Sequence, residues 1–255
     1  MANNFKYFIG NWKMFGLPES KNILTLIDDF IKADTKFNSK YKVYITPPFT
    51  LIESYSSFFK NKTIKIGAQN LYHKDNFGSN TGSVSAQMLR AVGSDLVLVG
   101  HSDNRAEGDT NEMLKQKIQS ALNNDMQVTF CIGESKEEKV KGNTFPFLKS
   151  QLTSVLNSEF NKIEDSLIVA YEPIWSIGTG MIPSSEELTK TIKYIKEVLN
   201  EIFGKTSNIK VLYGGSVDSS NINDLKIISE IDGFLIGGAS RKEKNFIDII
   251  NKYFR

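Results

Sequence analysis

A chain of 255 residues, 40% of them hydrophobic, is large enough to bury a sizeable core, and its net charge of only +2 gives no argument for binding nucleic acid or a membrane surface. One cysteine, Cys131, excludes an intramolecular disulfide and fits a reducing compartment. No leader-like apolar segment occurs near the N-terminus and no apolar run approaches the ~18 residues of a membrane span, so we expect a cytoplasmic protein.

Eight short apolar runs follow one another along the chain, each rich in Val, Ile, Phe or Tyr. Several are apolar on both faces, which is typical of strands in a parallel sheet that is covered on both sides. The predicted strands, in chain order, are Lys6–Gly10, Lys42–Thr46, Ile64–Ala68, Leu96–Gly100, Gln127–Gly133, Leu167–Glu172, Lys210–Gly215 and Gly233–Gly238.

Amphipathic segments with a helical period lie in most of the gaps between these runs. Ser20–Ala33 follows the first predicted strand and Ser184–Phe203 follows the sixth, and in both the apolar residues recur every three or four positions. Ser184 or Ser185, with Glu187 close behind, is a candidate N-terminal cap for the second of these helices.

Strand alternates with helix from one end of the sequence to the other, without a linker, a low-complexity tract or a shift in composition. This alternation predicts an α/β protein, and eight near-equal units in this length favour a closed (β/α)8 barrel that forms a single domain over residues 1–255. A doubly wound open sheet is the alternative, and the eight near-equal units argue against it.

Unusual polar residues and glycine pairs follow the predicted strands at the points where the strands end. In a (β/α)8 barrel the active site forms at the carboxyl ends of the strands, so these residues are expected to converge there. In chain order they are Asn11, Lys13, His101, Ser102, Glu172, Gly214, Gly215, Ser216, Gly237 and Gly238.

Three features of this set support a functional interpretation. Glu172 ends an apolar strand, and an ionised carboxylate beside apolar walls is costly unless it is paired or used. His101 lies between a buried strand and a predicted helix start. Two glycine pairs at the ends of adjacent strands permit a backbone to approach an anion closely.

Other chemistry-bearing residues have simpler explanations. Cys131 is predicted to pack inside the fifth strand as a small apolar residue, and His73, in a polar loop, is predicted to be a satisfied structural residue. One cysteine and two separated histidines do not give the spacing of a metal site, so we expect neither a metal nor another cofactor.

Five segments of the sequence resemble the triosephosphate isomerase family in their residues, order and spacing. The resemblance extends over essentially the whole chain, and the segment that reads AYEPIWSIGTG is the most specific part of it. The five segments are GNWKM (10–14), VGHSDNR (99–105), AYEPIWSIGTG (170–180), LYGGSV (212–217) and GFLIGGAS (233–240).

The resemblance implies a TIM barrel that interconverts dihydroxyacetone phosphate and D-glyceraldehyde 3-phosphate in glycolysis and gluconeogenesis. In this family Glu172 would be the catalytic base. His101 would be a neutral electrophile, its proton affinity lowered by a helix N-terminus. Lys13 would be the cation that holds the phosphate, and Asn11 would donate a hydrogen bond to a substrate oxygen.

The resemblance also implies a phosphate-binding site and a mobile lid. The lid would comprise a stiff hinge at Pro173–Trp175 and a tip at Ser176–Gly180 that closes to exclude water from the intermediate. Ser102 matches a residue close to the base. The phosphate would be bound largely by backbone N–H groups, at positions that match Gly178, Ser216, Gly237 and Gly238.

Three departures from the family pattern accompany the resemblance. His-Ser-Glu-Arg-Arg is the usual reading where this chain has His101-Ser102-Asp103-Asn104-Arg105, and the loop that follows is about one residue shorter. Asp103 is shorter than the usual glutamate, but it is still a candidate partner of Lys13. Met181 replaces the lysine that usually follows the Gly-Thr-Gly of the lid.

The resemblance further implies a homodimer. The third βα loop, residues 70–85, would reach with Thr81 near its tip into a pocket beside Asn11–Met14 of the partner subunit. Ser83 and Asn104 stand where the family commonly pairs a glutamate with an arginine across the interface. Because both charges are absent, neither is left buried alone, and we expect a stable dimer whose dissociation depends weakly on salt.

Two alternatives remain open beside an active isomerase. One is a different phosphate-sugar enzyme on the same barrel, which would not be expected to keep Asn11, Lys13, His101 and Glu172 together. The other is a binding or scaffold protein descended from an isomerase, which the loss of any of the last three residues would have favoured; none is lost.

Overall fold

The computed structural model describes residues 5–75, 77–160, 163, 165–204 and 208–255. Eight parallel strands pair in chain order, and β1 also pairs with β8, so the sheet closes into a barrel and the alternative of an open doubly wound sheet is wrong. The strands are β1 Lys6–Asn11, β2 Tyr41–Thr46, β3 Ile64–Ala68, β4 Leu96–Val99, β5 Gln127–Ile132, β6 Leu167–Tyr171, β7 Lys210–Tyr213 and β8 Gly233–Ile236.

Helices connect the end of each strand to the start of the next, as the amphipathic segments predict. Short 3₁₀ turns occur at Pro18–Ser20, Asn38–Lys40, Ile174–Ser176 and Gly238–Arg241. The α-helices of the described residues are α1 Lys21–Ala33, α2 Phe49–Phe59, α3 Ala86–Ala91, α4 Ser102–Ala106, α5 Asn111–Asn123, α6 Lys136–Val140, α7 Thr144–Val155, α8 Ser185–Phe203, α9 Ile222–Leu225 and α10 Glu243–Phe254.

The cap of the longest helix agrees with the sequence. Ser184, one of the two candidates, precedes α8 in an extended conformation, and its hydroxyl accepts a hydrogen bond from the Glu187 N–H. This bond satisfies one of the N–H groups that the first turn of a helix leaves without a partner.

Five of the predicted strands extend too far at their carboxyl ends. The residues beyond the true ends, including Gly100, Glu172 and Gly214, leave the ladder and begin the βα loops. Gly100 shows the reason, because its φ of +76° lies in the left-handed region that breaks an extended strand. The first predicted strand, Lys6–Gly10, ends too early, because β1 continues through Asn11.

The core has two layers, one inside the barrel and one between the strands and the surrounding helices. Successive residues of β1 illustrate the pattern: Tyr7 and Ile9 belong to the inner cluster, whereas Phe8 between them belongs to the outer cluster. Because both faces of the sheet are buried, the strands are apolar at nearly every position, as expected for a covered parallel sheet.

Within the described part of the chain, no helix has both the length and the apolar character needed to cross a membrane. The large buried clusters inside and around the barrel stabilise the fold through the hydrophobic effect.

Candidate active site

A cavity of about 340 Å³ opens at the carboxyl end of the barrel. Every residue that the sequence predicts for catalysis or substrate binding lines it: Asn11, Lys13, His101, Glu172, Gly178, Ser216, Gly237 and Gly238. The strands bring these residues together from positions up to 227 apart in the chain, which no local pattern requires. The wall also includes residues that the sequence did not single out, among them Val217, Leu235 and Arg241.

Glu172 follows the last residue of β6 and is held in a tight backbone niche. Its residue surface is only 5% exposed. A Cβ on Gly133 would lie 1.9 Å from the Glu172 carbonyl oxygen, and a Cβ on Gly214 would lie 2.6 Å from its Cγ. Both distances are far below normal contact, so these two glycines are what allow the carboxylate to sit at this point of the wall.

The carboxylate of Glu172 is only partly engaged. Its Oε1 lies 3.7 Å from Nε2 of His101, and its Oε2 is buried with no hydrogen-bond partner among the described residues. Buried polar atoms normally have partners, so an unpartnered carboxylate oxygen in a cavity wall indicates a function other than stability.

His101 is fixed in one orientation by the helix that it precedes. It is the residue before α4, and its Nδ1 accepts a hydrogen bond of 3.0 Å from the Asp103 backbone N–H. Nδ1 therefore carries no hydrogen, and a neutral ring has its hydrogen on Nε2, on the side of Glu172. The imidazole is thus oriented to donate into the cavity.

Lys13 has a strained backbone that several hydrogen bonds hold in place. Its φ is +53°, a conformation that costs a residue other than glycine about 1–3 kcal/mol. The Lys13 N–H donates to Oδ1 of Asn11 at 3.0 Å, and Nε2 of Gln69 donates to the carbonyl oxygens of Lys13 and Thr46, both at 2.8 Å. No pattern in the sequence marks Gln69, because its partners are distant in the chain.

The Lys13 ammonium pairs with Asp103 despite the shorter side chain. Nζ of Lys13 lies 3.1 Å from Oδ2 of Asp103, and the same oxygen lies 3.6 Å from Nδ1 of His101. The substitution of aspartate at this position therefore does not break the pair. Both side chains are partly exposed, so the pair orients Lys13 more than it stabilises the fold.

A second buried carboxylate, Glu134, supports the segment that follows Glu172. Its Oε1 accepts a hydrogen bond of 2.8 Å from the indole N–H of Trp175, and its carboxylate also accepts one from the hydroxyl of Tyr171. Burial raises the pKa of the Tyr171 phenol, and the negative charge of the Glu134 carboxylate raises it further. Sequence reasoning missed Glu134, although it follows the apolar run of β5 much as Glu172 follows that of β6.

The residues assigned to the tip of the expected lid differ in their burial. Ser176 was assigned to its tip but is fully buried in the 3₁₀ turn, and the exposed stretch is 178–181. The Ser176 hydroxyl donates to the Met181 carbonyl at 2.6 Å, accepts from the Ser216 N–H at 3.3 Å and lies 3.0 Å from the Tyr213 hydroxyl. It thereby joins both ends of the exposed stretch to the loop after β7.

Further contacts connect this stretch to the cavity wall. The Gly180 N–H donates to the Ser216 hydroxyl at 3.1 Å. Burial raises the pKa of the Tyr213 phenol to about 12, so the hydroxyl that faces Ser176 stays protonated near neutral pH. The stretch is therefore in contact with the loop after β7, while its own backbone remains exposed.

Cys131 packs in the barrel interior, as the sequence predicts, and only 1% of it is exposed. Burial, with a smaller contribution from the neighbouring Glu172 carboxylate, raises the pKa of its thiol, which makes it a poor nucleophile. Among residues that the structure describes, no group of three or more His, Cys, Asp and Glu side chains is arranged to hold a metal ion.

Comparisons with known proteins agree with this geometry. A sequence model of the triosephosphate isomerase family matches residues 6–253. Triosephosphate isomerases from Alkaliphilus oremlandii and Thermodesulfovibrio yellowstonii are 36% and 35% identical to this chain; the matches cover 95% and 96% of this chain and 97% and 98% of those proteins. The crystal structure of triosephosphate isomerase from Bartonella henselae superposes with a TM-score of 0.88 at 30% identity, covering 98% of this chain and 99% of that one.

A closed eight-stranded barrel with a carboxylate and an imidazole 3.7 Å apart at its carboxyl end belongs to the class of (β/α)8-barrel enzymes. The matches over nearly the whole chain narrow that class. The chain belongs to the triosephosphate isomerase family, and it is an isomerase that interconverts dihydroxyacetone phosphate and D-glyceraldehyde 3-phosphate, a reaction of glycolysis.

Proposed function

We propose that Glu172 and His101 carry the proton transfers of this isomerisation, through an enediolate intermediate. The observation that supports this most strongly is the buried Oε2 of Glu172, which has no hydrogen-bond partner in the described part of the chain while Oε1 lies 3.7 Å from the imidazole. A carboxylate oxygen in this state is free to accept a proton from a substrate carbon.

The proposed steps balance without a cofactor. Glu172 removes a proton from the carbon next to the substrate carbonyl, and the electron pair of that C–H bond moves to form the enediolate. His101, whose Nε2 faces the cavity, donates a hydrogen bond to the oxygen on which negative charge develops. Glu172 then returns the proton to the neighbouring carbon, which converts ketose to aldose or the reverse.

The remaining predicted site residues have binding roles in this proposal. Lys13, held by its pairing with Asp103, offsets the negative charge of the substrate, and Asn11 donates to a substrate oxygen. The phosphate is bound by backbone N–H groups and one hydroxyl, contributed by Gly178, Ser216, Gly237 and Gly238.

The role of His101 is tested by the substitution His101→Gln, assayed in both directions with each triose phosphate. We expect kcat to fall by roughly 10²-fold or more, because general acid–base groups contribute about 10²–10⁴-fold. The control is Gln116→Ala, which truncates an exposed polar side chain of α5 outside the cavity. A folded His101→Gln variant with a kcat within a few-fold of the parent would remove His101 from this role.

The proposal includes the organisation of the protein beyond its active site. Residues 1–255 form one domain, the protein works in the cytoplasm, and it assembles as a homodimer. The single buried cysteine fits a reducing compartment. The dimer is supported by exposed apolar side chains on the first and third βα loops, of which Met14 is 92% exposed, Phe15 52% and Phe77 68%.

The third βα loop has the features expected of a docking element, although its residue Asn76 lies outside the described residues. Thr81 is exposed at the turn, which is internally braced by the Tyr72 hydroxyl donating to Asn80. His73 departs from its predicted satisfied state: its ring packs on Tyr72, which leaves Nδ1 buried without a hydrogen-bond partner among the described residues.

Sedimentation at low micromolar concentration tests the assembly. We expect a particle of about twice 28.7 kDa across a wide range of salt, because Ser83 and Asn104 are uncharged and apolar packing of the loop would dominate. A fully active monomer under these conditions would contradict the proposal, and so would a dimer that moderate salt dissociates.

A further inference from the structure

Arg241 is a cation in the cavity wall for which the proposed mechanism has no use. It ends the 3₁₀ turn Gly238–Arg241 that follows β8, and it lines the same cavity as Glu172 and His101. Its Nη2 lies 3.5 Å from the position that a Cβ on Gly238 would occupy. The guanidinium is therefore next to the glycine backbone proposed to bind phosphate.

The two cations of the cavity wall differ in how they are engaged. Lys13 pairs with Asp103 at 3.1 Å, whereas no Asp or Glu of the described residues lies within 4.0 Å of the Arg241 guanidinium. Asp218 also lines the cavity, but its Oδ1 accepts hydrogen bonds from Ser220 and from the Asn221 N–H.

Phe15 lies against the Arg241 guanidinium. The Arg241 Cζ lies 3.8 Å from the centroid of the Phe15 ring, which is cation–π geometry. A cation–π contact does not use the N–H groups of a guanidinium as hydrogen-bond donors to an oxygen, so these groups remain available. The planar edge of a guanidinium matches two oxygens of a phosphate in a bidentate contact.

We propose that Arg241 is a further phosphate-binding residue, which donates from its edge to the phosphoryl group of the substrate beside the N–H groups of Gly237 and Gly238. This inference rests on the proposed phosphate site at those glycines. Its consequence is specificity: a second charged donor favours the doubly ionised phosphate over a singly charged or uncharged terminal group. Phe15 acts as a positioning residue, because it contacts Arg241 and not the cavity.

The experiment compares Arg241→Leu, Arg241→Lys and Phe15→Leu with the parent enzyme. Three quantities are measured: kcat and KM for D-glyceraldehyde 3-phosphate, the Ki of inorganic phosphate as a competitive inhibitor, and deuterium exchange into D-glyceraldehyde, which lacks the phosphoryl group. Lys244→Leu is the matched control, since it removes one positive charge from an exposed position of α10 outside the cavity.

We expect Arg241→Leu to raise both KM and the Ki of phosphate by roughly 10-fold, the effect of one charge-assisted contact in a partly exposed site. The kcat of Arg241→Leu should stay within about 3-fold of the parent value, because a contact made equally in the ground state and the transition state affects KM and not kcat. Deuterium exchange into glyceraldehyde should not change, because glyceraldehyde has no phosphoryl group for Arg241 to bind. Arg241→Lys should recover part of the loss, Phe15→Leu should show a smaller loss, and Lys244→Leu should match the parent.

Two results would overturn the proposal. In one, Arg241→Leu leaves the Ki of phosphate within 2-fold of the parent value. In the other, the variant loses glyceraldehyde exchange as strongly as phosphate binding, which would mean that Arg241 only maintains the cavity. The variant Ser216→Ala tests the proposed phosphate site separately from Arg241. If Ser216→Ala left the Ki of phosphate unchanged while Arg241→Leu raised it, Ser216 would not belong to the phosphate site but Arg241 would.

Discussion

The two walls of the cavity are built in different ways. The wall that carries the proposed catalytic residues (the catalytic wall) consists of side chains, those of Asn11, Lys13, His101 and Glu172, and three of these residues are no more than 5% exposed. The wall proposed to bind phosphate (the phosphate wall) consists mostly of backbone, at Gly178, Ser216, Gly237 and Gly238, and none of these four residues is buried. The difference matches the proposed tasks: proton transfer needs atoms fixed to a fraction of an ångström, whereas an anion is bound by any set of N–H groups that it can reach.

The two walls differ in how firmly they are held, because one stands at strand ends and the other on loops. The catalytic wall stands at the ends of β1, β4 and β6, where the strand ladders hold the backbone and local hydrogen bonds, such as that from the Asp103 N–H to His101, orient several of the side chains. The phosphate wall stands on loops, and Gly178 at φ +69° belongs to the exposed stretch 178–181. The barrel thus places the proposed catalytic side chains at its strand ends and the proposed phosphate-binding backbone on its loops.

The largest effect is expected on the catalytic wall, from Glu172→Asp. Shortening the side chain moves the carboxylate back by about 1 Å, and a displacement of that size can lower the rate by about 10²-fold. We therefore expect kcat to fall by roughly 10²-fold or more while the fold and the binding of substrate persist. Steady-state kinetics on the folded variant measures this.

Glu201→Asp is the matched control for that experiment, because it shortens an exposed carboxylate that pairs with Lys149 outside the cavity. It should keep the kinetics of the parent. If Glu172→Asp retained a kcat within a few-fold of the parent, Glu172 would not be the base. The proposed need for precise placement of the side chains in the catalytic wall would then also be wrong.

An intermediate effect is expected where the walls meet, from Ser176→Ala. The substitution leaves the buried Tyr213 hydroxyl without its partner and also removes the bond to the Met181 carbonyl in the exposed stretch. We expect the free energy of unfolding to fall by about 2 kcal/mol, since a buried polar group left unsatisfied costs about 1–3 kcal/mol. Urea denaturation measures the loss, and proteolysis within 178–181 should become faster.

Ser154→Ala provides the comparison for that substitution. The Ser154 hydroxyl donates to the Ser150 carbonyl and accepts from Asn111, but the site is exposed and water can replace both contacts. Its variant should lose less than about 0.5 kcal/mol of unfolding free energy. Equal losses in the two serine variants would show that Ser176 is not the anchor between the walls.

The smallest effect is expected from Asp103→Asn, which removes the carboxylate paired with Lys13. The side chains are 33% and 58% exposed, so solvent and salt already weaken their attraction. The Asp103 N–H that binds His101 belongs to the backbone and is retained. We expect kcat/KM to fall by about 2-fold at low salt and by less at high salt.

Kinetics over a series of ionic strengths distinguishes the orienting role of Asp103 from a chemical one. Lys139 and Glu187 form a similarly exposed pair away from the cavity, and Glu187→Gln serves as the control. A loss greater than about 10-fold in Asp103→Asn that salt does not reduce would place Asp103 in the acid–base machinery.

Several errors of the sequence interpretation occur at the junctions between strands and loops. Glu172 was placed at the end of the sixth strand, but β6 ends at Tyr171 and Glu172 begins the segment that leads to the 3₁₀ turn Ile174–Ser176. Apolar or small residues continue past the last ladder bond, so hydrophobicity alone does not mark where a strand ends. Hydrogen bonding decides that point, and the partners lie on other strands.

The sequence by itself determined the alternation of strands and helices, the barrel, and which eight residues would meet at one cavity, because these follow from local periodicity and from the positions of polar residues and glycines at the strand ends. Tertiary structure alone decided how those residues are held. Gln69 supports Lys13, Glu134 supports Trp175 and Arg241 stacks on Phe15 across 56, 41 and 226 positions of the chain. Such contacts depend on the closure and register of the whole barrel, and no local pattern of side chains encodes them.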